Sequence, residues 1–234
     1  MKNRRYFLVQ GTLATAAMLA LKPLTSIGRT ISQFTGISGS YGKLAFLHTA
    51  NLDNNDTKVI RFIQEIKNNN KNAILLNAGQ GMQDETGALI YDAAINGSND
   101  LSAITGDYKI ITKGNTRTGI ISARPGDDNV IQKIKTLSAH LKNEKNCTMV
   151  VCLSQLGYKN ENTPDDITLA KESTHLDIIV GGHAKNFQTN PIIALNSKNE
   201  EVIIHSASGD PVACGIIKID FNGQGGKKHI GFTA

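Results

Sequence analysis

The sequence predicts an α/β sandwich built on mixed β-sheets, and three observations carry that reading. Between Lys43 and Val180, short β-branched runs alternate with amphipathic runs, the pattern of strands joined by helices. After Val180 the runs are all strand-like, and the segments linking them carry Asn, Ser and Gly, the pattern of hairpins. Polar or glycine-rich segments follow several strands, at His48–Asp53, Ala78–Gln80, Ser154–Gly157 and Gly181–Lys185. Open α/β sheets hold their ligands at such carboxyl ends, so these segments should converge on one edge.

The elements follow in order. Lys43–Thr49 reads as the first strand and Asn51–Asp56 as a polar loop. Thr57–Asn68 reads as a helix, because Val59, Phe62, Ile63 and Ile66 share one face and Asp56 is placed to cap it. Ala73–Asn77 is a second strand, Asp84–Tyr91 a short helix, and Asp92–Ile95 a third strand. Tyr108–Thr112 and Arg117–Ser122 flank Lys113-Gly114-Asn115-Thr116 as a hairpin. Asp127–Asn143 is a helix with Val130, Ile131, Ile134, Leu137 and Leu141 as its stripe. Thr148–Leu153 is apolar almost throughout, as a strand covered on both faces should be. Pro164 starts another helix, and Leu176–Val180 is a strand that Gly181 and Gly182 end in a turn. Ile192–Leu195, Val202–His205, Gly215–Phe221 and Lys228–Phe232 complete the strands.

The chain has 234 residues and is 40% hydrophobic, enough to build a sizeable globular core. It has no Trp and few aromatics, which argues against a base-stacking nucleic-acid surface. Its net charge of +5 comes from residues 1–29, which hold Lys2, Arg4, Arg5, Lys22 and Arg29 and no acid. The remainder is formally neutral, so charge offers no reason to expect DNA, RNA or an anionic membrane as partner.

Residues 1–29 read as an export signal: a basic head, the moderately apolar run Tyr6–Leu21, and Ser26-Ile27-Gly28 as a small-x-small cleavage site. Asn3-Arg4-Arg5-Tyr6-Phe7-Leu8 resembles the twin-arginine signal of bacteria. The run is either cleaved or kept as an anchor, and only the anchor would tie the protein to a membrane. The expected location is the periplasm or envelope. Residues 30–42 read as a linker, and residues 43–234 as one domain. Cys147 and Cys152, five apart in an expected strand, should face opposite ways and not bridge. With Cys214 they read as buried free thiols, and the absence of C-x-x-C excludes a zinc ribbon or redox pair.

The strand-end segments also match a family in order and spacing. From Lys43 to Phe232 the chain resembles the calcineurin-like metallophosphoesterases, and among them the exported 5′-nucleotidases. The resemblance implies a four-layer α/β/β/α sandwich with a two-metal centre at the strand ends. The first motif is similar to H-T-N/S-D-x-H and reads here His48-Thr49-Ala50-Asn51-Leu52-Asp53, so Asn51 stands for a metal-binding Asp and Asp53 for a metal-binding His. The second resembles D/N-A-G-D and reads Asn77-Ala78-Gly79-Gln80, with Gln80 in place of the bridging Asp. The third resembles Y-D-A-x-x-x-G-N-H-E and reads Tyr91-Asp92-Ala93, then Gly97-Ser98-Asn99-Asp100, with Ser98 for the metal-binding Asn and Asn99 for the catalytic His. The fourth resembles S-H-L-G-Y and reads Ser154-Gln155-Leu156-Gly157-Tyr158, with Gln155 for a His ligand. The fifth resembles G-G-H-S-H or G-G-H-S-Q and reads Gly181-Gly182-His183-Ala184-Lys185: His183 is kept and Lys185 replaces the last ligand. The C-terminal substrate domain common in that family has no counterpart before Ala234.

These replacements bear on chemistry. Two divalent ions about 3.5–4 Å apart repel by roughly 18 kcal/mol at an effective dielectric of 20, and anionic ligands must offset that. A neutral Gln80 is a poor bridge, and the Lys185 ammonium repels a cation held by His183. The expectation is therefore a domain without catalytic residues or cofactor, whose cleft of Asn51, Asp53, Gln80, Ser98, Asn99, Gln155, His183 and Lys185 is silent or binds an anion or phosphorylated small molecule. The rival is a working phosphoesterase with zinc or manganese held through Asp53 and His183. A further alternative is a partner role, toward a separate substrate domain or an envelope protein. His48, at odd spacing from Asn51, reads as a core or second-layer histidine, while His140, His175, His205 and His229 show no ligand spacing.

Overall fold

In a computed structural model, residues 43–50, 57–79, 91–95, 104, 106–160, 163–182, 190–206, 214–221 and 227–233 are described. Their strands are β1 (Lys43–Thr49), β2 (Ala73–Asn77), β3 (Ala93–Ala94), β4 (Tyr108–Lys113), β5 (Thr116–Ala123), β6 (Met149–Ser154), β7 (Ile178–Gly181), β8 (Ile192–Leu195), β9 (Glu201–Ser206), β10 (Cys214–Phe221) and β11 (Lys227–Thr233). Their helices are α1 (Thr57–Asn69), α2 (Val130–Asn143) and α3 (Asp166–Glu172).

The strands form two mixed sheets, ordered β11-β10-β1-β2-β3 and β4-β5-β6-β7-β9-β8. In the first, β1, β2 and β3 run parallel while β10 is antiparallel to both of its neighbours. In the second, β5, β6, β7 and β9 run parallel, with β4 and β8 antiparallel at the edges. Strand periodicity sorts the side chains into layers. Leu44, Phe46, Ile74 and Leu76 of the first sheet pack on Ile120, Val151, Leu153, Val180 and Ile203 of the second. On the far side of the first sheet, Leu47, Leu75 and Ile216 meet Ile60, Ile63 and Ile66 of α1. On the far side of the second, Val150, Cys152, Ile179 and Ile204 meet Ile134 and Leu141 of α2 and Leu169 of α3. The layers are thus α/β/β/α, as expected.

Polar pins hold the layers in register. Asp177, just before β7, accepts from Lys142 Nζ of α2 at 2.8 Å, from Lys227 Nζ of β11 at 2.7 Å and from the Val150 amide at 2.8 Å. Asp92, just before β3, takes Lys67 Nζ of α1 at 3.3 Å and Lys113 Nζ of β4 at 3.5 Å. Each carboxylate joins its own sheet to one helix and to the opposite sheet.

Several boundaries differ from the sequence reading. Helix α2 starts at Val130 rather than Asp127, because Arg124–Asp127 closes a turn with Gly126 at φ 87° and Asn129 is left-handed at φ 50°. Helix α3 starts after Asp165, whose carboxylate accepts from the Thr168 amide, so the cap and not Pro164 sets its start. Gly181 is the last residue of β7 and pairs with Ser154 and Ser206. Cys147 precedes β6, and it shares the helix-covered core with Cys152; all three cysteines are nonetheless buried and free. Of the first helix's expected stripe, Phe62, Ile63 and Ile66 are buried, while the Val59 side chain, the Asp56 cap and residues 84–90 lie outside the described ones, as do the export signal and linker.

Candidate functional site

The carboxyl ends of β1, β2, β6 and β7 do meet. The Ala78 amide donates to the Thr49 carbonyl at 3.4 Å, tying the ends of β2 and β1. Thr49 Oγ1 lies 2.8 Å from the Tyr91 hydroxyl, which braces the same corner from the approach to β3. Asn77 Oδ1 accepts from the Gly79 amide at 2.8 Å, so the asparagine folds the chain back at the strand end. In the second sheet the Gly182 amide donates to Ser154 O at 2.8 Å and the Gln155 amide to Ala123 O at 2.9 Å.

Gly182 explains why the fifth motif needs its second glycine. A Cβ there would lie 1.9 Å from the Ala78 carbonyl oxygen and 2.7 Å from the Gly79 nitrogen. The requirement is close approach of two backbones from opposite sheets.

Gln155 crosses the same gap. Its carboxamide nitrogen lies 3.4 Å from Ala78 O and 3.4 Å from Gly79 O, two long donations from β6 of one sheet onto the end of β2 in the other. Reversing the amide would aim its oxygen at two carbonyl oxygens, so these acceptors fix its orientation. Of the cleft residues expected from sequence, Gln155 is the one among the described residues. Asn51, Asp53, Gln80, Ser98, Asn99, His183 and Lys185 lie outside them, although Ala50, Gly79 and Gly182, which adjoin Asn51, Gln80 and His183, stand around the convergence.

Behind the converging strand ends lies a buried polar layer that sequence reasoning passed over. Ser154 Oγ donates to Asp166 Oδ1 and accepts from the Leu156 amide at 3.2 Å. Asp166 is 2% exposed, and burial pushes its carboxyl up to about 7 against the pull of the Ser154 hydroxyl, with the Asp165 charge adding to the rise. Ser206 Oγ donates to Gly181 O at 2.9 Å, closing the layer from β9. The signal in the sequence was the acidic pair Asp165-Asp166 opening a helix, of which one caps the helix and the other turns inward.

His48 is a core histidine, as its spacing suggested. His48 Nε2 lies 2.7 Å from His205 Nδ1, and the rings meet edge to face. Gly215 on β10 makes room, since a Cβ there would lie 2.3 Å from His48 Nε2. Burial, then the neighbouring His205, holds the His48 imidazole well below its ordinary range, so His48 is neutral.

Arg124, at the carboxyl end of β5, was also missed. It opens the Arg-Pro-Gly-Asp turn, and its Nη2 donates to Ile95 O at 2.6 Å, just past β3 in the opposite sheet.

No family model matches the sequence, and no curated protein does. Solved structures do. A 5′-nucleotidase precursor from Thermus thermophilus superposes with a TM-score of 0.60 at 17% identity, over 82% of this chain and 54% of that one. The NAD nucleotidase of Haemophilus influenzae superposes at 0.62 and 14% identity, over 80% of this chain and 49% of that one. The chain has a metallophosphoesterase-like fold. It spans about half the length of those two nucleotidases. A hypothetical protein, also from Thermus thermophilus, is matched at 0.52 and 11% identity and is covered over 98% of its length.

A metallophosphoesterase-like fold implies metal at the strand ends, and Gln155 tests that at one position where the resemblance leads one to expect a ligand. The group facing the opposite sheet there is an N–H donor already turned to two carbonyls, which is unsuited to coordinating a cation. Among the described residues, no three His, Cys, Asp or Glu side chains come together as a metal-holding group. Among the same residues, no helix is long and apolar enough to cross a membrane.

Proposed function

We propose that the chain is an exported metallophosphoesterase-like domain that works without catalysis, its strand-end cleft binding an anion such as a phosphate group. The observation that carries this reading is Gln155, whose carboxamide donates to Ala78 and Gly79 carbonyls at a position where the resembling family places a metal-ligating His. The replacements at Asn51, Gln80, Asn99 and Lys185 support it chemically: they supply amides and an ammonium, which bind anions, in place of carboxylates and imidazoles, which bind cations. Export is supported by Asn3-Arg4-Arg5-Tyr6-Phe7-Leu8 alone.

Elemental analysis of the purified full chain, together with assays on a 5′-nucleotide and a generic aryl phosphate, tests the reading. The expected result is no stoichiometric divalent metal, no turnover and measurable binding of inorganic phosphate. Stoichiometric zinc or manganese, with turnover abolished by Asp53→Ala or His183→Ala, would establish a metal-dependent phosphoesterase instead.

A further inference from the structure

We infer that Arg124 is the fixed cation of the cleft and binds the anion's oxygens directly; this rests on the anion-binding reading above. Three observations converge on it. First, position: Arg124 follows β5, whose Ala123 carbonyl accepts from the Gln155 amide at 2.9 Å, so Arg124 and Gln155 leave adjacent parallel strands at the same sheet end. Second, reach: the two side chains make parallel crossings to the opposite sheet, Arg124 to Ile95 past β3 and Gln155 to Ala78 and Gly79 past β2. The Ile95 amide in turn donates to Asn77 O at 3.1 Å, so both crossings land on one connected strand end. Third, charge: the guanidinium spends one N–H on the neutral Ile95 carbonyl, and among the described residues no carboxylate pairs with it.

The nearby acid is otherwise engaged. Asp127 Oδ2 accepts from the Arg124 main-chain amide at 3.3 Å, within the turn that Gly126 allows at φ 87°. That turn orients the arginine's backbone, and the Ile95 bond anchors one N–H of its exposed head, leaving further N–H groups for a ligand. A guanidinium held by one edge still offers a fork suited to two oxygens of a phosphate or carboxylate. The ligand class is therefore a small oxyanion or the oxyanion end of a larger molecule, held by this exposed arginine where the two sheets meet.

The competing role is a strap, in which Arg124 only ties β5 to β3. Titration calorimetry of the full chain with inorganic phosphate and, separately, acetate distinguishes the roles when run on wild type, Arg124→Gln and Arg124→Lys, with melting temperature measured alongside. The expected result is at least tenfold weaker phosphate binding in Arg124→Gln, with a smaller loss in Arg124→Lys, which keeps the charge but not the fork. Wild-type binding of acetate in place of phosphate, weakened in the same order, would assign a carboxylate ligand to the same arginine. Equal affinity in all three proteins, with only the melting temperature changed, overturns the assignment and leaves the anion-binding cleft standing. No binding by wild type overturns both. Should Arg124→Gln not fold, arginine-directed phenylglyoxal labelling of wild type, read by mass spectrometry, decides: saturating phosphate should protect Arg124 and spare Arg61 and Arg117, and undiminished labelling of Arg124 overturns the assignment.

Discussion

His48 on β1 and His205 on β9 join the two sheets through a buried imidazole–imidazole hydrogen bond of 2.7 Å. Only one of the facing nitrogens can carry a proton, and burial holds the His48 ring neutral, so His48 Nε2 and His205 Nδ1 share a single proton between them. Gly215 leaves the space they occupy. Gly215→Ala should therefore cost about 2–3 kcal/mol by forcing the rings apart, read as a lower denaturant midpoint.

The same pair sets a pH response. The His48 pKa is depressed in the folded chain, first by burial and then by His205, whereas an unfolded histidine titrates near 6.5. Below that pH the unfolded chain binds the extra proton, so this contribution to stability should fall as pH drops from 6.5. His48→Gln should flatten that limb in urea melts at pH 7, 6 and 5.

Asp166 should act in the opposite direction. Its folded carboxyl sits at about 7 against an ordinary value of 3.8, so between those limits the folded chain holds the proton and the unfolded chain does not. Stability from this group is full below about 4 and lost as pH rises through 7, a swing on the order of 4 kcal/mol. Asp166→Asn, an uncharged isostere still in reach of Ser154, should remove the swing and gain stability relative to wild type at pH 8. An unchanged pH profile would contradict a buried, protonated carboxyl.

Gly182→Ala should damage the cleft and the fold together. Its new Cβ would meet backbone and not a movable side chain, at 1.9 Å from Ala78 O, so the ends of β2 and β7 must separate. A loss of more than about 2 kcal/mol is expected, with phosphate binding reduced in whatever remains folded. Calorimetric melting and phosphate titration of the same sample check both.

Asp177→Ala removes one acceptor from two lysines and a buried amide at once. The expected cost is about 3–5 kcal/mol, because an amide and partly buried charges are left without their partner. Asp177→Asn should recover part of it by keeping the Val150 bond. Equal melting temperatures for all three proteins would refute the pin.

Local chemistry made most of the architecture legible in the sequence. The Phe62, Ile63, Ile66 face marks an amphipathic helix, and Met149–Leu153 marks a strand covered on both sides, because both signals depend on neighbours a few residues away. Convergence of the strand ends followed from the order of strands and helices. The start of α2 did not, since the Arg124–Asp127 turn and left-handed Asn129 override a helical pattern that reads smoothly from Asp127.

The sequence by itself determined the layers and the edge at which the strand ends converge, and it singled out Gln155 there. Tertiary structure alone decided what Gln155 does, donating to Ala78 and Gly79, and why Gly182 must be a glycine. It alone paired His48 with His205 and turned Asp166 inward while Asp165 capped the helix. The physical reason is distance along the chain: those partners lie on different elements, many of them on opposite sheets, and hydrogen bonding and close contact act only through space.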